Sequence, residues 1–149
     1  MNTMDTQSFL ERCYQAGIRD PAAWLQSRGM GAFGWLKGAF PRGILPTDCD
    51  GEVEVKGQFL RLEFKSANKV RAGGIPKGQL YLFNSLIKTG VFTVFVAGHD
   101  DRGRVECCKV MRLIDGEPVT EFHDPLTTDE FHKMCGRWAE SVDPSFTYK

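Results

Sequence analysis

Apolar positions recur with a helical period near both ends of the chain and with a strand period in its middle. Over Thr6 to Ala16, Phe9, Leu10, Cys13 and Tyr14 fall at i, i+1, i+4 and i+5. That is one apolar helix face, and Gly17 supplies the stop after it. Asp20 and Pro21 suit the cap and first turn of a short second helix, Ala22 to Ser27. From 29 to 46, glycines at 29, 31, 34, 38 and 43 and prolines at 41 and 46 alternate with Phe33, Trp35, Leu36 and Phe40. This reads as an irregular loop with aromatic anchors.

The centre changes period. Val53 and Val55 alternate with Glu52, Glu54 and Lys56, and Phe59 to Lys65 follows a tight Lys56-Gly57-Gln58 turn, so the stretch predicts a hairpin. A turn centred on Gly57 pairs residues whose numbers sum to about 114 or 115, setting Glu63 across from Gly51 or Glu52. Ser66 to Gly78, rich in glycine and basic residues, reads as a loop. Gln79 to Lys88 reads as a helix with Leu80, Phe83 and Ile87 on one face. Val91 to Ala97 is almost continuously apolar, as in a strand covered on both sides. After a Gly98–Gly103 turn, Val105 to Leu113 predicts another strand. Thr127 and Glu130 form a capping-box pattern ahead of a helix carrying Phe131, Met134, Cys135 and Trp138 as its core stripe. The order predicts a single α/β domain over 1–149, a small mixed sheet flanked by helices.

A chain of 149 residues with 42% hydrophobic and 26% charged residues has the makings of a folded domain, not a disordered one. No apolar run reaches the ~20 residues of a membrane span, so no membrane association is expected. Five scattered cysteines (Cys13, Cys49, Cys107, Cys108 and Cys135), and no export signal in Met1 to Gln7, predict free thiols in the cytoplasm. The net charge is zero, but its distribution is uneven. Between 56 and 77 stand Lys56, Arg61, Lys65, Lys69, Arg71 and Lys77 against the single acid Glu63, so the middle of the chain would meet a polyanion.

Candidate chemistry concentrates there as well. Glu63 and Lys65 are two apart on a strand and share a face, while Leu62 and Phe64 point the other way. The hairpin brings Asp50 near Glu63. Two carboxylates meeting at a sheet edge raise each other's pKa unless a cation lies between them, and Mg²⁺ suits such a site. Lys65 beside it could neutralise charge on a phosphoryl transition state. Gln79, behind Gly78 in the first turn of a helix, could hold phosphate or water.

These residues resemble the PD-(D/E)XK nuclease superfamily: an aspartate, then Glu-x-Lys some 13 residues on, then a glutamine opening the next helix. Pro46-Thr47-Asp48-Cys49-Asp50-Gly51, Glu63-Phe64-Lys65-Ser66 and Pro76-Lys77-Gly78-Gln79 are similar to small phage and bacterial proteins of the VRR-NUC kind. The resemblance implies a restriction-endonuclease-like αβββαβ core and Mg²⁺- or Mn²⁺-dependent phosphodiester hydrolysis, most readily as a DNA endonuclease. It assigns Asp50 and Glu63 as metal-binding acids, Lys65 as catalytic lysine and Gln79 as phosphate-side glutamine. Asp48 stands beside Asp50 as an alternative ligand, with the spacing favouring Asp50. Lys69, Arg71 and Lys77 would grip the nucleic-acid backbone. An idle nuclease fold that only binds DNA or protein is the alternative, and a homodimer or protein partner stays open. A zinc site from Cys107, Cys108, His123, His132 and Cys135 lacks the usual ligand spacing.

Overall fold

The structure, a computed structural model, describes residues 49–145 together with Glu11, Gln15 and Arg42. Nearly all of these belong to the second of two units, Cys49–Lys149. Apart from Glu11 and Gln15, which are helical and exposed, the two predicted N-terminal helices lie outside the described residues; so does Asp48, and so does the 29–46 loop except for the exposed Arg42.

The described unit is α/β, with the order β1 (Gly51–Val55), β2 (Gln58–Ser66), α1 (Ala67–Arg71), α2 (Lys77–Lys88), β3 (Phe92–His99), β4 (Val105–Ile114), β5 (Glu117–His123) and α3 (Thr128–Val142). The strands form one mixed sheet in the order β1-β2-β3-β4-β5, antiparallel except where β2 runs parallel to β3. A parallel pair needs a crossover, and α1 and α2 supply it. The expected 66–78 loop therefore contains a short helix, and the strand after Asp115 is an addition to the sequence reading.

Strand alternation sorts the core into two layers. Val94 and Val96 of β3 pack with Val70 of α1 and with Phe83 and Ile87 of α2. Phe95 and Ala97 point the other way and pack with Leu60, Val110 and Phe131 of α3. The sheet is thus covered on both faces, which explains the unbroken apolar run of β3. The capping box forms as expected: Glu130 N–H donates to Thr127 Oγ1 at 3.2 Å and Thr127 N–H to Glu130 Oε2 at 2.8 Å. Met134, Cys135 and Trp138 join the α3-side cluster.

The first hairpin turns on two residues, Lys56 (φ 48°) and Gly57 (φ 77°), with Val55 paired to Gln58. Two consecutive positive φ values are those of the tight turn whose twist matches its strands. Asp115 (φ 52°) and Gly116 (φ 81°) repeat the device between β4 and β5. Lys56 Nζ also meets Asp143 Oδ2 at 2.8 Å, tying the hairpin tip to the C-terminal end of α3.

Gly98 is the tightest point of the sheet. A Cβ placed there would lie 2.5 Å from Cys107 Sγ and 2.8 Å from Ala67 Cα. Gly98→Ala is therefore expected to destabilise the protein by about 1–3 kcal/mol in urea unfolding, since backbone must move to admit the methyl group. A second outcome concerns acid. Lys56 first, and then the Ser145 hydroxyl and amide, hold the Asp143 carboxyl down from its ordinary 3.8 to about 2. A carboxylate with a depressed folded pKa adds stability that is complete above the ordinary value and is lost as pH falls toward about 2. Asp143→Asn should flatten that part of the acid-unfolding curve, read by circular dichroism.

Candidate active site

The site is built on the open end of the β1–β2 hairpin. The register runs from Val55↔Gln58 to Gly51↔Leu62, so paired numbers sum to 113, one less than the smaller expected value. The turn comprises Lys56 and Gly57 rather than being centred on Gly57, and this moves every partner by a residue. Carried one step beyond Gly51↔Leu62, the register sets Asp50 opposite Glu63. Asp50 Oδ2 accepts the Phe64 N–H at 2.7 Å, which pins its carboxylate against β2.

Arg61, Glu63 and Lys65 alternate with Leu60 and Leu62, which belong to the α3-side cluster, so these three lie on the face that α1 and α2 cover. Asp50 lies just before β1, and its charge reaches Glu63. The two acids differ in setting. Glu63 is only 3% exposed, whereas Asp50 is exposed. Burial, and next the Asp50 charge, push the Glu63 carboxyl above the usual carboxylate range, against the pull of Arg61 and Lys65. Lys65 is half-buried.

Arg61 is the residue that sequence reasoning missed. It is buried, and its Nε lies 3.3 Å from Glu63 Oε1. Its position two residues before Glu63, on the same strand face, was the available signal. A buried carboxylate beside a second one needs such a counter-charge.

Gln79 is the third residue of α2, whose core residues Phe83 and Ile87 pack on this same sheet face. Its Oε1 is buried and has no hydrogen-bond partner among the described residues. Pro76 caps α2 without a side-chain hydrogen bond, the first turn carries no acid, and the first helical amide in the ladder is Leu80's, donating to Pro76 O at 3.0 Å. The amides of Lys77, Gly78 and Gln79 precede that ladder.

The three proposed backbone-gripping cations separate into two kinds. Lys69 on α1 and Lys77 at the start of α2 are exposed. Arg71 is committed elsewhere: its Nε and Nη2 reach Asp124 at 2.9 and 3.1 Å, and its Nη1 reaches Glu106 at 3.1 Å. His99 ends β3, with Nδ1 at 2.8 Å from Asp100 O. Cys107 and Cys108 are buried in opposite layers of the core.

Among the described residues, no three His, Cys, Asp or Glu side chains are grouped to hold a metal ion. What the site offers is a pair of carboxylates, one buried and one exposed. That donor set fits Mg²⁺, which takes one or two carboxylates and completes its shell with water and phosphate oxygens. Among the described residues no helix is long and apolar enough to cross a membrane. Compared with known proteins, the chain matches no family model, no curated protein and no solved structure.

Proposed function

We propose that this chain is a divalent-metal-dependent nuclease that hydrolyses phosphodiester bonds, with DNA as its substrate, on a restriction-endonuclease-like core of the PD-(D/E)XK kind. One observation carries the reading: Asp50, pinned to the Phe64 amide, lies beside Glu63, which shares its strand face with Lys65. Asp50 and Glu63 would hold Mg²⁺ or Mn²⁺, with Asp48 the further candidate from the sequence. When bound, the cation supplies Lewis acidity toward a phosphate oxygen and lowers the pKa of water.

The chain's own residues have defined tasks in this reading. Arg61 holds the Glu63 carboxyl in place and opposes the upward push of burial and of Asp50. The Lys65 ammonium neutralises charge as it develops on the phosphoryl oxygens. Gln79 offers its orphaned Oε1 to a hydrogen-bond donor, a water or a nucleic-acid hydroxyl. Lys69 and Lys77 contact phosphates, while Arg71 contributes by fastening α1 to Asp124 and Glu106.

Purified protein incubated with plasmid and Mg²⁺ or Mn²⁺ should cut it, and chelation should stop the cutting. Lys65→Ala and Glu63→Gln should each lower the rate by about 10²–10³-fold. Intact plasmid under all metal conditions would instead leave a binding module. Cation binding has a pH signature as well. Because the Glu63 carboxyl sits above its ordinary pKa, it keeps its proton to a higher pH and competes with the metal there. The thermal shift produced by Mn²⁺ should therefore keep growing as pH rises above the ordinary carboxylate range, and vanish in Glu63→Gln.

The basic residues give a separable outcome. Lys69→Ala and Lys77→Ala should each reduce the salt dependence of DNA binding by about one phosphate contact. Arg71→Ala should lower the melting temperature and leave that slope unchanged.

A further inference from the structure

On the opposite face of the sheet, between α3 and strands β3 to β5, lies a cavity of about 430 Å³. None of Asp50, Arg61, Glu63, Lys65 and Gln79 lines it. Its volume falls in the range that small-molecule sites occupy. Phe95, Met134 and Trp138 give it aromatic and apolar walls.

The polar residues of the cavity are placed in register. Arg112 Nη2 lies 2.6 Å from Glu121 Oε1, and His123 Nε2 lies 3.6 Å from Glu121 Oε2. Both oxygens of Glu121 are thereby engaged, and Arg112 holds its carboxyl below the usual range. Arg112 uses one corner of its guanidinium in this bond and has donors to spare. Arg137 also lines the cavity, is exposed, and has no acidic partner among the described residues. Two guanidiniums thus line a cavity whose carboxylate, Glu121, is already satisfied, which leaves an excess of positive charge there.

We infer that this cavity is a second binding site, for a planar aromatic anion of mononucleotide size. The ring would lie against Trp138 and Phe95, where stacking and apolar burial favour a flat π-system over an aliphatic chain. The anionic group would meet Arg137 and the free donors of Arg112, which suit phosphate, sulfonate or carboxylate oxygens in a forked geometry. A neutral ligand would leave Arg137 without a counter-charge. The site does not depend on the nuclease reading.

Titration calorimetry of the full chain tests this, with EDTA present so that no metal bridges phosphate to the other face. The probes are AMP, naphthalene-2-sulfonate and, as a neutral control, adenosine. The expected result is saturable 1:1 binding of at least one anion, with adenosine at least ~10-fold weaker. AMP alone would point to a nucleotide and the sulfonate alone to an aryl acid, both within the proposed class. Arg137→Glu, an exposed change on α3, should weaken the bound anion by ~10-fold or more, and Ser141→Phe, which narrows the cavity from its exposed rim, should do the same. Glu63→Gln should leave binding unchanged. Absence of saturable heat with both anions, equal binding of adenosine, survival of binding in Arg137→Glu and Ser141→Phe, or its loss in Glu63→Gln would each overturn the assignment.

Discussion

A carboxyl with almost no solvent exposure, set beside a second one, resists ionisation unless positive charge is built in next to it. At Glu63 that charge comes from Arg61 on the same strand face and from Lys65 on its other side. Much of the surrounding architecture serves this arrangement. The two-residue turn fixes the register that brings Asp50 opposite Glu63, the Phe64 amide holds Asp50 there, and the parallel pairing with β3 buries the strand that carries all three charged groups. A purely structural sheet would gain stability from apolar residues at these positions. The protein places ionisable residues there instead.

Those parts of the fold whose residues repeat a period strongly were the parts legible in the sequence. The β1–β2 hairpin, the continuous apolar β3 and the α3 stripe with its capping box all declare themselves through spacing and composition. β5 did not, although Asp115-Gly116 is a strong turn signal, because Glu117, Pro118, Thr120 and Glu121 make it a polar outer strand with little apolar alternation. α1 escaped because five residues are too few to show a helical period inside a glycine-rich stretch.

The candidate site was legible as a set of residue types, less so in its geometry. Lys56 adopts the left-handed backbone that normally calls for Asn, Asp or Gly, so nothing in its identity marks it as a turn residue, and the register came out one step off. Arg61 read as one more member of a basic run that would meet a polyanion. Its burial depends on the helices packed over that face and on Glu63 as a partner, which are tertiary facts. Arg71 shows the reverse case: a cation at the right place in the sequence for phosphate, held by acids more than thirty residues away in the chain.

The adjacent thiols Cys107 and Cys108 are buried on opposite sides of β4, one beneath α1 and α2, the other beneath α3. Burial raises both, Cys108 up to about 12, so neither reacts readily while its cover stays closed. Two neighbours in the chain thus act as independent reporters of the two helical layers. Whichever is alkylated first under mild denaturant identifies the layer that lifts off the sheet first, and so gives the order in which the two halves of the core come apart.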